Sequence, residues 1–265
     1  MVKIVILNDT RNSNKDKFAN DDGFSAYIET GNNKILFDVG PSEKFMKNAE
    51  KLGINLNKVD TIVLSHGHYD HGDGLQYFNN KVEFIAHPNC TLKRWWRDDH
   101  SHYSGMQLTK EELKNKYMVH FTKEPYRINQ YTYYLGEITR KYPVNLTKWV
   151  LEDGQNDDIL DDSGMVIHTE NGIIVIAGCS HSGICNIVEQ AKMVTNNNKV
   201  LAVIGGFHLR EINEDTNRVI NYMKDNVKEV ILAHCTKEEV CNKFINDLQG
   251  SIKVSVTEVG KEYNF

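Results

Sequence analysis

Residues 62–72 read Ile62-Val63-Leu64-Ser65-His66-Gly67-His68-Tyr69-Asp70-His71-Gly72. An apolar run opens the stretch, and three of the chain's eleven histidines then fall within six positions, with a carboxylate among them. Neutral imidazole offers one free nitrogen to a cation, and imidazole together with carboxylate suits Zn, Fe and Mn. A tight turn after a strand can aim alternate side chains at one point, and glycine lets the backbone bend closely around an ion. The stretch therefore predicts a metal centre at the end of a buried strand rather than a His-rich surface loop.

Upstream, Val2–Leu7 reads as a strand, and residues 8–22 as a polar loop. Phe24–Glu29 and Lys34–Asp38 flank Thr30-Gly31-Asn32-Asn33, a hairpin pattern. Ser42 is placed to cap a helix through Phe45, Met46, Ala49 and Leu52, which Gly53 ends. Val59–Leu64 is the strand that delivers the histidines. Downstream, three apolar strands each end in a histidine: Ile173–Ala177 before Gly178-Cys179-Ser180-His181, Val200–Ile204 before Gly205-Gly206-Phe207-His208, and Val230–Ala233 before His234-Cys235-Thr236. Helical patterns follow at Ile184–Val194, Asp215–Lys224 and Lys237–Leu248. Such an order of elements gives an α/β (or α+β) class, with its site at strand C-terminal ends.

The order His66-x-His68-x-Asp70-His71, with the lead-ins Phe37-Asp38-Val39-Gly40 and Ile62–His66, resembles the signature of the metallo-β-lactamase superfamily. This resemblance implies one αββα sandwich spanning residues 1–265 with a two-metal site at one edge. In that scheme His66 and His68 bind one metal, Asp70 and His71 the other, and His234 matches the last histidine of the pattern. His181 is the further candidate ligand. Many members carry Gly-Asp where this chain has Gly178-Cys179, with the Asp bridging the metals. Cys179 either replaces that Asp as a thiolate or is a small buried residue while His181 ligates. The motifs Ala177–Gly183, Gly205–Leu209 and His234–Thr236, with Leu135–Arg140 and Asp161–Met165, are similar to the narrower branch named after 7,8-dihydropterin-6-methyl-4-(β-D-ribofuranosyl)-aminobenzene-5′-phosphate synthase. That likeness runs from about residue 2 to 260, and is far more specific for fold and metal site than for substrate.

The expected chemistry is hydrolysis by metal-activated water on a phosphoester or phosphorylated heterocycle, with two divalent cations, Zn first and Fe or Mn as alternatives. Asp70 is expected to hold one metal and orient water. His208 is expected to touch the departing group or a phosphate. The branch implies an alternative, a synthase joining a dihydropterin diphosphate to an aminobenzene ribofuranosyl phosphate with loss of pyrophosphate. A di-iron redox enzyme and a non-catalytic ligand sensor are readings from other classes.

Residues 91–150 hold 11 Lys/Arg against 6 Asp/Glu and 11 of the 25 aromatics, so they read as a basic, aromatic insertion or cap. Lys93, Arg94 and Trp95, with Arg140, are its candidate substrate contacts, since arginine forks onto phosphate and aromatic faces stack on flat rings. Residues 152–162 carry six acids in eleven positions and read as a solvated loop. The net charge of −5 argues against nonspecific nucleic-acid binding. Apolar runs reach only five residues, which excludes a helical membrane span, and the N-terminus lacks a signal-peptide pattern. Five cysteines without a CxxC pair read as reduced thiols, so the expected compartment is the cytoplasm.

Overall fold

The computed structural model describes residues 1–144 and 148–265; the expected cap therefore includes three positions, 145–147, outside the described residues. Among the described residues, sixteen strands form two seven-stranded sheets and one short ribbon. The first sheet runs in the order β16 (Glu262–Asn264), β1 (Val2–Asn8), β2 (Ser25–Thr30), β3 (Asn33–Phe37), β4 (Thr61–Val63), β5 (Glu83–Ala86) and β7 (Met118–Phe121). The second runs β15 (Lys253–Val256), β14 (Val227–Leu232), β13 (Val200–Gly205), β12 (Gly172–Ala177), β11 (Gly164–Thr169), β9 (Thr132–Tyr134) and β8 (Tyr126–Arg127). The ribbon pairs β6 (Arg94–Trp96) with β10 (Trp149–Leu151).

Both faces of each sheet are buried, and period-two alternation sorts the side chains. Along β12, Ile174 and Ile176 join Ile4, Ile6, Ile28 and Phe37 of the first sheet in the layer between the sheets. Ile173, Val175 and Ala177 point the other way, into a cluster with helices α4 (Ile184–Thr195), α5 (Glu214–Asn226) and α6 (Glu238–Leu248). Val5, Leu7, Leu36 and Leu64 pack outward with α1 (Lys44–Lys51), represented by Phe45 and Ala49, and α3 (Lys110–Lys116), represented by Leu113. The layers are thus helix, sheet, sheet, helix, as expected from the sequence. Ser42 is not the cap of α1. Glu43 holds the N-cap position, and the Ser42 hydroxyl instead donates to Asp21.

Parallel pairing positions the site. Strands β3, β4 and β5 are parallel, as are β12, β13, β14 and β15. Their C-terminal ends therefore share one rim of each sheet, where α2 (Tyr69–Gly72) and the loops at 178–183, 206–208 and 233–236 lie. Residues 91–150 divide between frame and rim. Strand β7 extends the first sheet and β8–β9 the second, while β6 and Trp149 of β10 stand beside the histidines. Among the described residues, no helix is long and apolar enough to cross a membrane.

Two sequence expectations fail here for one reason. Arg94 is fully buried, donating to both oxygens of Asp161, with its Nε 2.9 Å from Asp157 Oδ2. It is a structural ion-pair centre and not a substrate contact. Its partners come from the acidic run read as solvated, and Asp157, Asp161 and Asp162 are all buried. Asp161 also accepts from the backbone N–H of Gly67, in the middle of the histidine motif, at 2.7 Å. Burial alone would raise the Asp161 carboxyl, but the Arg94 guanidinium holds it below its usual range.

Removing one partner of a buried pair leaves an uncompensated charge, so Arg94→Met is expected to lose about 3–5 kcal/mol of stability at neutral pH. Because the Asp161 pKa is lowered by folding, its contribution is present above about pH 4 and fades as pH falls through the folded value. The gap in unfolding free energy between wild type and variant should therefore shrink on acidification. Urea unfolding at a series of pH values reads it, and a gap that widens towards low pH would contradict the assignment.

Candidate metal centre

Four imidazoles crowd the rim. The rings of His66 and His68 lie 4.6 Å apart, His66 and His71 4.4 Å, and His66 and His181 4.8 Å between centroids. His234 follows at 5.2 Å from His71. All five are buried. Burial, reinforced by the neighbouring rings, pushes the pKa of His66 and His181 well below the usual value. Burial and the Arg94 charge take His68 down to about 3. These three are neutral donors.

The potential donor atoms fall into two groups. Nitrogens of His66 and His181 and the Cys179 sulfur lie within 4.8 Å of one another. Asp70, His71 and His234 offer atoms within the same limit, again with the Cys179 sulfur. His68 joins the first group through a 2.9 Å approach of its Nδ1 to His66 Nε2. Asp70 and His71, expected to share one metal, fall in one group, whereas His68, expected beside His66, reaches the other only through the His66 ring. The partition places His181 with His66, His234 with Asp70 and His71, and Cys179 between them.

Ring orientation is set from behind. Asp38 accepts from Ser65 N and Ser65 Oγ, both at 2.7 Å, and its Oδ2 stands 2.7 Å from His71 Nδ1. With its own proton given to Asp38, the Ser65 hydroxyl can accept from His66 Nδ1 at 2.9 Å. Both rings then carry a proton on Nδ1 and turn a bare Nε2 inward, 3.1 Å from the Cys179 sulfur in the case of His71. Gly178 allows this closeness, since a Cβ there would sit 2.2 Å from Ser65 Oγ. His234 Nε2 lies 3.1 Å from Asp70 Oδ2, and its other nitrogen is held by Gly23 N–H and the Thr10 hydroxyl. Burial disfavours a charged His234, but Asp70 outweighs it and lifts the pKa to about 9. For Asp70, burial is likewise overridden by His71 and His234, which hold the carboxyl well below its usual range.

The donor set fits divalent cations. His181 has no hydrogen-bond partner on either nitrogen, and His68 Nε2 has none, although all three atoms are buried. Unpaired buried polar atoms are costly unless something else satisfies them. Mixed imidazole, carboxylate and cysteine-sulfur donors at this spacing suit zinc, with iron and manganese compatible with the harder donors. Backbone strain concentrates here as well. Of the six non-glycine residues with positive φ among the described residues, Asp38, Ser180, His208 and His234 belong to the rim.

A cavity of about 220 Å³ opens beside His181 and His208. Trp149 forms its inner wall, with its ring 4.8 Å from His181 and 5.4 Å from His208. His208 lies outside both donor groups, 4.5 Å from the His181 ring. Burial first, and then Arg210 and other nearby positive groups, take it to about 3, so it is a neutral imidazole facing the cavity. The predicted substrate contacts lie elsewhere. Lys93 is exposed and paired with Glu152, Trp95 packs on Tyr103, and Arg140 donates to the carbonyls of Asp158 and Ile159. Lys148, Trp149 and Arg210 line the cavity instead. The basic and aromatic excess of residues 91–150 pointed towards Lys148 and Trp149, but no local motif marked either, and Arg210 carried no signal beyond following His208 by two positions.

Known proteins share the family and the fold. The model of the metallo-β-lactamase superfamily matches residues 20–194. A Methanocaldococcus jannaschii protein described as uncharacterized is 34% identical over 255 residues, covering 92% of this chain and 93% of its own. The 7,8-dihydropterin-6-methyl-4-(β-D-ribofuranosyl)-aminobenzene-5′-phosphate synthase of the same organism is 31% identical over 274 residues, covering 94% and 92%. The crystal structure of Tm1679, described as a metal-dependent hydrolase of the β-lactamase superfamily, superposes with a TM-score of 0.88 at 27% identity, covering 100% and 99%. A histidine-rich rim on an αββα frame and a family match across well over half its length together place the chain in the metallo-β-lactamase superfamily.

Proposed function

We propose that the protein is a metal-dependent hydrolase of phosphoesters or phosphorylated heterocyclic small molecules. The observation that carries this reading is the pair of donor groups meeting at Cys179, one face of which opens onto a cavity with cationic side chains. His66, His68 and His181 would hold one cation, and Asp70, His71 and His234 the other, with Cys179 available to both. Two divalent cations, zinc first, would supply Lewis acidity and lower the pKa of water towards about 7.

The chain's own groups define the rest. Asp38 and Ser65 keep the Nε2 atoms of His71 and His66 aimed inward. Asp70 stays ionised and sits where it can orient water as well as hold a cation. His208, neutral and facing the cavity, can donate one hydrogen bond to a substrate oxygen or departing group. Trp149 closes one side of the histidine cluster against solvent and offers its ring to a flat substrate. The synthase reading stands second, favoured by the 31% identical relative bearing that name. The same cations and cavity would then bind a diphosphate and release pyrophosphate.

Native mass spectrometry should find about two metal ions per chain, and the purified protein should hydrolyse bis-p-nitrophenyl phosphate. His181→Ala, which removes a donor to one cation, should lower turnover by at least about a hundredfold and halve the metal content. A protein that binds no metal, or a variant as active as wild type, would refute the hydrolase. Pyrophosphate release from the two synthase substrates, without diester turnover, would replace it with the synthase.

Asp38→Asn should act without touching a cation. An amide in place of the carboxylate cannot accept from both Ser65 Oγ and His71 at its altered end, so metal affinity should fall about 10–100-fold. Competition with a chromophoric chelator measures this, and unchanged affinity would show that Asp38 does not set the ring orientation.

A further inference from the structure

Lys148 and Arg210 both line the cavity beside His208, and both are exposed. Among the described residues, neither side chain has a carboxylate partner, whereas Arg218, the third cation of the lining, is neutralised by Asp215 at 2.8 Å. The lining carries Lys148, Arg210 and Arg218 against Glu211 and Asp215, so the mouth is net positive in a protein whose net charge is −5. Between this mouth and the histidines, the walls carry Trp149, Phe207 and Leu209. An apolar cavity of about 150 Å³ is enough to hold benzene, so 220 Å³ admits a substituted ring.

We propose that this cavity selects substrates with two anionic groups on opposite sides of a flat ring, one at the histidine centre and the second clasped by Lys148 and Arg210. This rests on the hydrolase reading for the role of the histidine centre, and it adds the part of the substrate that does not react. Lys148 and Arg210 are specificity residues. They act on binding of the distal group. A substrate lacking the second anion would keep its contacts with the histidine centre and the ring walls.

The test is calorimetric titration of the zinc-loaded protein with benzylphosphonate and with 4-carboxybenzylphosphonate, neither of which is hydrolysed. The carboxylated ligand should bind about tenfold more tightly at low salt, and the preference should weaken as salt rises. In the double variant Lys148→Ala/Arg210→Ala the preference should vanish while benzylphosphonate affinity stays within about twofold of wild type. Arg210→Glu should reverse it. Both positions are exposed, so a matching melting temperature checks that the fold is intact. Equal affinity for the two ligands in the wild type, no binding of either, or equal weakening of both in the double variant would overturn the proposal. Preferential binding without turnover of any phosphoester would leave the proposal standing and remove the hydrolase. Turnover without preferential binding would do the reverse.

Discussion

One carboxylate lies behind both halves of the metal centre. Asp38 is fully buried at the end of β3, in a left-handed backbone conformation that its side chain must be held to maintain. What holds it is three short contacts to Ser65 and His71, residues that follow β4. The same contacts decide which nitrogen of His66 and of His71 is bare. A rotation of this one group would turn one ring in each donor group at once. The close approach of Gly178, from the other sheet, leaves no space for such a rotation.

The imidazole cluster is an electrostatic problem that the fold poses and a cation would solve. His66, His68 and His181 are kept neutral by burial and by each other's proximity. Both nitrogens of His181 and the Nε2 of His68 are left without a hydrogen-bond partner. Near Asp70 the balance is opposite, and neighbouring carboxylates outweigh burial and raise the pKa of His71 and His234. Protons and cations thus compete in the second group much more than in the first. Two sites built from similar side chains would accordingly differ in how their affinity responds to acid.

The fold and the gathering of the candidate donors were legible because their signals are local. Apolar strands ending in histidine appear as continuous runs, and parallel pairing of β12, β13 and β14 brings their ends together without needing further sequence information. Asp38 was visible only as part of a lead-in, since its task depends on partners 27 and 33 positions away. The error at Arg94 has the same origin. Its partners Asp157 and Asp161 lie more than sixty residues on, and an isolated basic cluster and an isolated acidic loop each look solvated until they meet in the interior. Lys148 and Arg210, which lie 62 positions apart, share a cavity only because the β6–β10 ribbon carries the first of them to the loop after β13. Neither had a neighbour in sequence to give it away.

The donors also divide by sheet. His66, His68, Asp70 and His71 follow β4 in the first sheet, whereas Cys179, His181 and His234 follow strands of the second. Each donor group draws on both sheets, so neither could form in a half-sandwich. An ion held here would act as a clamp across the interface between the sheets, with its binding energy added to the cohesion of the buried layer between them. Ligand binding and the docking of the two halves would then become a single event, with the ion set where other folds would place a staple.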